Sequence, residues 1–434
     1  MTKPLRIGIA GLGTVGASLA RLLQTKADTI VHRAGRPIEL VAVSARDRTK
    51  DRGFDASSLA FFEDAVRLAG EAEIDGFVEL IGGSDGVALE SVRAALSRGI
   101  PVVTANKALL AHHGVELARL AAENGTELLY EAAVAGGIPI IKTMRESLSG
   151  NEVSRVYGIL NGTCNYMLTR MEREGLSFDV CLKDAQDLGY AEADPTFDIG
   201  GFDAAHKLAI LTSLAFGTEI DSGSIYVEGI EKVTAEDIAA AADLGYSIKL
   251  LAVAQRTDTG IEQRVHPALI PAAEAMAQVS GVTNAVAVDT DLLGSIMLAG
   301  PGAGGDATAS AVLSDIMDLA TGVVPPTLGI PVDKLQPYRR ARMRAHEGGY
   351  YIRMSVHDQV GAFAAIAARM AENQISLESI VQRQRAGKGD KATAMVILVT
   401  HETMENSVRE ALRAISDDGH LAGEPQMLRI ERLD

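Results

Sequence analysis

The chain has 434 residues, 47% apolar and 23% charged, with a formal net charge of −16. That length exceeds one ordinary hydrophobic core, so two or three domains are expected in a globular, water-soluble composition. The negative charge argues against nucleic-acid partners and anionic membrane surfaces, although a few local cations could still line an anion cleft. Two cysteines, Cys164 and Cys181, cannot build a disulfide framework. No apolar run approaches the roughly 20 residues needed to span a bilayer. A first strand at Leu5 to Ala10 leaves no secretion signal ahead of it, and a cytoplasmic location is expected.

The first half alternates short apolar runs with amphipathic stretches, the pattern of a parallel sheet covered by helices. The runs are Leu5 to Ala10, Ile38 to Val43, Gly76 to Ile81, Pro101 to Thr104 and Glu127 to Tyr130, with helical periodicity over Val87 to Leu96 and Leu109 to Ala122. From about Asn151 the rhythm changes. Helices are predicted around Phe178 to Leu188 and Phe202 to Phe216, followed by strands at Ser247 to Gln255, Ile261 to Ile270, Ala285 to Val288 and Gly294 to Leu298. A Gly-rich stretch, Gly300 to Gly305, opens a helix reaching about Ala320. A linker rich in proline and arginine follows, with Pro325, Pro326, Pro331, Pro337, Arg339, Arg340, Arg342 and Arg344. The remainder, from Tyr350, reads as an independent small unit.

The first strand runs directly into Gly11-Leu12-Gly13-Thr14-Val15-Gly16 and then a helix. Glycines at those spacings permit a tight strand-to-helix turn and let backbone N–H groups approach a pyrophosphate at the helix N-terminus. A purely structural glycine turn is the alternative, and the position between strand and helix favours the dinucleotide. Where NAD sites usually place an acid after the second strand, this chain has Ser44-Ala45-Arg46, with Arg48 and Lys50 close behind. Cations there suit a 2′-phosphate. NADP is favoured, with NAD and a merely solvated basic loop left open.

The stretch from Ala185 to Lys207 concentrates carboxylates (Asp187, Glu192, Asp194, Asp198, Asp203) with Tyr190 and Lys207. Asp203 and Lys207 stand at i and i+4, within ion-pairing reach on one helix face. The rest of that helix is apolar, which buries the pair at least partly and suits the lysine to proton transfer with a developing alkoxide. The acids crowded ahead of the helix suit an ammonium group. An exposed, helix-stabilising ion pair is the alternative.

Here the sequence resembles the homoserine dehydrogenases. Gly189-Tyr190-Ala191-Glu192-Ala193-Asp194-Pro195, then Asp198-Ile199-x-Gly201-x-Asp203 and Lys207, fits that family's signature. Thr104-Ala105-Asn106-Lys107, Leu160-Asn161-Gly162-Thr163-Cys164-Asn165-Tyr166 and Gly304-Gly305-Asp306-Ala307-Thr308 recur in the family's order over the first 330 or so residues. The resemblance implies reversible, NAD(P)H-dependent reduction of L-aspartate 4-semialdehyde to L-homoserine. It implies Lys207 as the acid/base, Asp203 as a substrate-contacting acid, and Glu192 as partner of the amino group, with Gly189, Tyr190 and Asp198 lining the pocket. It further implies that Lys107 reaches cofactor and substrate, that Gly305 gives the cofactor a backbone contact, and that carbonyls of Glu131, Val134, Gly136 and Ile138 hold Na+ or K+. A structural glycine turn is the alternative for that last loop.

Cys164 invites a thiol-nucleophile reading, yet alcohol–aldehyde interconversion needs no covalent intermediate. His112, His113 and His206 lack the spacing of a zinc set. The C-terminal order β-α-β-β-α-β makes a small ferredoxin-like unit. It resembles ACT domains, whose ligand turn falls on His357-Asp358-Gln359-Val360-Gly361, with Val360 replacing the usual proline. Threonine is the implied allosteric ligand, and a purely structural or dimerising module is the alternative.

The expected architecture is therefore α/β. A Rossmann-type doubly wound parallel sheet occupies 1–140, completed by about 306–330, and an α+β substrate and dimerisation domain occupies 141–305. A linker spans 331–349 and a ferredoxin-like ACT domain 350–434. The family resemblance implies a homodimer or homotetramer. Two rivals stand beside this reading: a dehydrogenase of another small amino or hydroxy acid, and a nucleotide-sensing regulator without turnover.

Overall fold

The computed structural model describes residues 3–341, 347–386 and 393–433. Arg342 and Arg344 of the expected linker, and Lys391 at the start of an expected strand, lie outside these. Among the described residues, seventeen strands form two sheets. The first is wholly parallel and contains β1 (Leu5–Ala10), β2 (Ile38–Ser44), β3 (Ala60–Phe62), β4 (Gly76–Glu79), β5 (Val102–Thr104) and β6 (Leu128–Leu129), in the order β3-β2-β1-β4-β5-β6. This is the dinucleotide-binding order, whose direction switches between β1 and β4, where ligands of open α/β sheets bind. β3 has only three residues after a long polar stretch, so periodicity could not announce it. Helix Gly305–Thr321 packs on helix Thr14–Thr25, and its Ala309, Val312 and Ile316 share one core with Leu5, Ile7 and Leu19.

The second sheet is mixed. It contains β7 (Val153–Ile159), β8 (Tyr226–Val227), β9 (Tyr246–Thr257), β10 (Gly260–Pro271), β11 (Thr283–Thr290) and β12 (Gly294–Pro301), joined by β13 (Glu347–His357), β14 (Leu377–Ala386), β15 (Thr393–Thr400), β16 (Thr403–Met404) and β17 (Gln426–Ile430). Its main path is β12-β11-β7-β9-β10-β17-β13-β15-β14. Helix Phe202–Phe216 lies beneath it, starting from Gly201 (φ +85°) and stopping at Gly217 (φ +65°), both left-handed. That helix is apolar nearly all round, as befits one buried on every side. The same burial encloses its two charged residues.

The last four strands of the main path, β17-β13-β15-β14, reproduce the ferredoxin-like order expected of the C-terminal unit. The expectation of independence does not hold. β17 pairs in parallel with β10 (Ala268 with Arg429, Leu269 with Ile430), so one sheet runs through both units. The proline-rich segment is also tied down: Ile261 N–H donates to Arg339 O and Ala341 N–H to Ile261 O, both at 2.9 Å. The join is charged as well as hydrogen-bonded. Thr234 and Asp237 close a capping box on helix Ala235–Asp243. The fully buried Asp237 carboxylate then takes both Nε (2.6 Å) and Nη2 (3.0 Å) of Arg353 on β13, and the Tyr351 hydroxyl at 3.1 Å.

Removing the guanidinium would strand a buried carboxylate. We expect Arg353→Ala to lower the unfolding free energy by about 3 kcal/mol, the scale of breaking a buried ion pair from one side. Chemical denaturation of the full chain checks this, and a loss below about 1 kcal/mol, the range of exposed pairs, would contradict it.

Candidate active site

The glycine turn after β1 divides its work. Gly11 has φ +97°, and a Cβ there would lie 2.4 Å from Leu80 O; one on Gly16 would lie 2.0 Å from Gly11 O. Both are fixed by close backbone approach. A Cβ on Gly13 would meet nothing within 4 Å, so that position faces the open space where a pyrophosphate fits. Gly305, opening its helix, leaves room for Ser18 and Thr14 of the glycine-turn helix. At the end of β2, Arg46 is exposed and Arg48 lies over the Phe61 ring at 5.5 Å. Arg52 is spent on the carbonyls of Leu12, Lys50 and Asp47. A cleft of about 260 Å³ opens between Leu12, Val43, Arg48, Lys50 and Phe61; Arg46 lines a neighbouring, more open one that it shares with Arg48.

Lys107 is aimed by a network the sequence does not announce. Glu79 ends β4 fully buried and accepts Ile81 N–H (2.7 Å), Gly82 N–H (3.1 Å) and the Thr104 hydroxyl (2.6 Å). Thr104 Oγ1 in turn accepts Asn106 N–H, while the Asn106 side chain caps helix Lys107–Glu123 at Leu109 N–H and donates to Gly83 O. Lys107, the first residue of that helix, then reaches Asp203 Oδ1 at 3.1 Å. The only sequence signal for Glu79 is a carboxylate closing an otherwise apolar strand.

Asp203 stands between two lysines. Its Oδ2 takes Lys207 Nζ at 2.7 Å, and that ammonium also donates to Leu160 O at 2.7 Å. Burial opposes ionisation of Asp203, but the Lys207 and Lys107 ammonium groups, helped by hydrogen bonds from Lys207 and Asn161, hold its carboxyl well below the usual carboxylate range. Asn161 Nδ2 lies 2.8 Å from both Asp203 Oδ2 and Asp198 Oδ1. Burial raises the Asp198 carboxyl; the Asn161 hydrogen bond opposes this and the Asp203 charge adds to it.

The acidic crowd expected ahead of the helix disperses. Asp198 alone joins the cluster. Asp194 accepts from Thr196 N–H and Oγ1, Asp187 pairs with Lys183, and Glu192 is exposed, as are Gly189 and Tyr190. That loop is moored by Thr163 Oγ1 donating to Tyr190 O (2.7 Å) and by the Tyr190 ring edge-on to Tyr166 at 5.1 Å. The Cys164 thiol is fully buried and donates to Asp198 O, and burial pushes it well above its ordinary value. It is no ready nucleophile. His206 stacks edge-on between His112 and Phe197; burial, then the neighbouring His112, lowers its pKa.

The loop from Glu131 to Ile138 is almost wholly buried, with Ala135 and Gly136 both at positive φ. A Cβ on Gly136 would lie 2.4 Å from Gly302 O, so the loop abuts the glycine-rich turn. The Glu131 carboxylate accepts Ile141 and Lys142 N–H, and Glu131 N–H donates to Asp315 Oδ2. Burial pushes both carboxyls up to about 7. Among the described residues, Asp315 Oδ1 is buried without a hydrogen-bond partner beside this carbonyl-rich loop, oxygen chemistry of the kind a hard cation takes. Asp315 was invisible in sequence, being 184 residues from its partner.

A dinucleotide-binding sheet joined to a buried Lys–Asp–Lys cluster at the domain junction defines a nicotinamide-dependent oxidoreductase. Comparison with known proteins narrows this. The NAD-binding domain of homoserine dehydrogenase matches residues 11–131, the homoserine dehydrogenase domain matches 139–317, and the ACT domain matches 350–419. The homoserine dehydrogenase of Pseudomonas aeruginosa is 43% identical over 438 residues, covering 100% of both chains. The crystal structure of a homoserine dehydrogenase from Thiobacillus denitrificans superposes with a TM-score of 0.92 at 41% identity, covering 100% of this chain and 99% of that one. A hyperthermophilic archaeal homoserine dehydrogenase in complex with NADPH gives a TM-score of 0.64 at 28% identity, covering 75% of this chain and 99% of that one. The chain belongs to the homoserine dehydrogenase family.

Proposed function

We propose that the chain reversibly reduces L-aspartate 4-semialdehyde to L-homoserine, in the route to threonine, methionine and isoleucine. The observation that carries this reading is the Lys107–Asp203–Lys207 cluster, in which a lysine from the nucleotide-binding half and one from the substrate half meet on a single buried carboxylate. The nicotinamide, when bound, supplies the hydride. Lys207 donates the proton to the carbonyl oxygen as it gains negative charge, and takes it back in the reverse direction. Asp203 stays ionised, keeps the ammonium aimed, and contacts the substrate. Lys107 neutralises the far side of Asp203 and reaches the cofactor. Glu192 receives the substrate's ammonium group, Gly189 supplies a backbone contact, and Tyr190 and Asp198 line the pocket.

The 11–16 glycine turn, including Leu12, Thr14 and Val15, cradles the pyrophosphate, and Gly305 closes over it. NADP is preferred, because Arg46 and Arg48 stand where NAD sites carry an acid; the archaeal relative solved with NADPH agrees with this. Na+ or K+ sits in the 131–138 loop on the carbonyls of Glu131, Val134, Gly136 and Ile138, where it would fix the loop against the Gly302 turn. The ACT unit binds threonine as feedback inhibitor, and the enzyme works in the cytoplasm as a homodimer or homotetramer. Among the described residues, no helix is long and apolar enough to cross a membrane.

Lys207→Ala should lower kcat by at least about 10²-fold, the scale of general acid–base catalysis, in an assay following absorbance at 340 nm with homoserine and NADP. Near-normal turnover would contradict the role given to the lysine. Arg46→Ala should raise KM for NADPH more than for NADH; equal effects would undo the cofactor preference. Titrating the full-length enzyme calorimetrically with threonine should give a saturable heat and a parallel loss of activity. Absence of both would leave the ACT unit a structural module.

A further inference from the structure

Asn161 has no role in the chemistry described so far, yet every polar atom of its side chain is engaged. Its Oδ1 accepts Cys164 N–H at 2.8 Å, capping helix Gly162–Glu174. That cap requires an acceptor, so it fixes the opposite end of the amide as nitrogen. The two N–H groups are thereby directed at two different carboxylates, Asp198 Oδ1 and Asp203 Oδ2, each at 2.8 Å. The residue is 3% exposed. Its peptide neighbour supplies the second half of the arrangement: Leu160 O accepts Lys207 Nζ at 2.7 Å and is itself held by Asn284 Nδ2 at 2.9 Å. Both acceptors of the Lys207 ammonium, Asp203 Oδ2 and Leu160 O, are therefore held by the dipeptide Leu160–Asn161.

We propose that Asn161 is a positioning residue for hydride transfer: its single amide nitrogen clamps the carboxylates of Asp198 and Asp203 together and so fixes the direction in which Lys207 presents its proton. Two carboxylates sharing one buried site repel, and one of them tends to take up a proton. A neutral donor of two hydrogen bonds holds both without adding charge. Asparagine alone among the good N-caps does this. Serine caps but is too short to reach both acids, aspartate caps but brings a third carboxylate, and glutamine is too long for the cap. The charged and titratable groups around this point are Asp198, Asp203, Lys107, Lys207 and Cys164, with Glu231 and His206 beyond them.

The inference rests on Lys207 being the proton carrier, so Lys207→Ala is assayed beside it. Asn161→Ser and Asn161→Asp are made in the full-length enzyme, and kcat, KM and melting temperature are measured from acid to alkaline pH. Both substitutions retain a capping oxygen, so both should fold, melting below the parent because the two carboxylates lose a donor. The Ser variant should lose at least about ten-fold in kcat, the order expected of a misaligned proton donor, with a pH profile of unchanged shape. The Asp variant should share a proton among three carboxyl groups. Its protonated form can still donate to a neighbour, so its kcat/KM should be nearest the parent's at acid pH. It should then fall with rising pH along a limb that neither the parent nor the Ser variant shows.

A residue that only caps its helix predicts parental kcat and parental pH profiles in both variants, and that result overturns the proposal. Unfolding of both would assign Asn161 to the fold alone and equally overturn it. If Lys207→Ala turns over normally, the functional reading itself fails. If that variant is inactive while both Asn161 variants behave as the parent, only the clamp is lost.

Discussion

Placing a carboxylate and an ammonium group in an apolar interior costs several kcal/mol for each ion unless every charge is met. Asp203 meets that condition by lying between Lys107 and Lys207 and accepting from Asn161. The constraint propagates outward. Lys107 is placed by a helix that Asn106 caps and by Thr104, which hangs from Glu79; Lys207 is aimed by Asp203, which Asn161 holds, and by Leu160 O, which Asn284 holds. The nucleotide-binding and substrate halves thus converge on one carboxylate. The proton carrier proposed for the reaction owes its position to that convergence.

Much of this was legible wherever the governing interaction is local in sequence. Asp203 and Lys207 are one helical turn apart, the glycine turn follows its strand directly, and period and turn residues marked most strands of both sheets. The parts that were not legible depend on long separations. Glu79 acquires meaning only when β4 and β5 align it with Thr104, and Asp315 only when its helix returns to Glu131. Composition and spacing alone do not separate Asp194, which caps its own turn, from Asp198, which Asn161 draws into the cluster; only the family signature singled out Asp198. Carboxylate density alone does not rank Asp187, Glu192, Asp194 and Asp198; side-chain donors draw Asp198 into the buried cluster.

The same logic explains why the C-terminal unit looked separable. Its own β-α-β-β-α-β pattern is complete, so the sequence contains no sign that its last strand also pairs with β10. The buried Asp237, shared between a capping box and Arg353, welds the two units at a second point. Strand β13 is thereby joined directly to the end of the 226–237 segment. That segment is hydrogen-bonded to the turn ahead of helix Phe202–Phe216, where Ile230 N–H donates to Ile199 O.

The placement of β17 carries a consequence for the birth of the protein. A ribosome delivers β10 more than 150 residues before Gln426–Ile430, the strand that comes to lie alongside its Ala268–Leu269 stretch. Until that late segment emerges, this part of the sheet margin is bare, the condition in which nascent strands seek wrong partners. This part of the sheet is therefore covered only after more than 150 further residues have been made, an interval in which chaperones would have most to do.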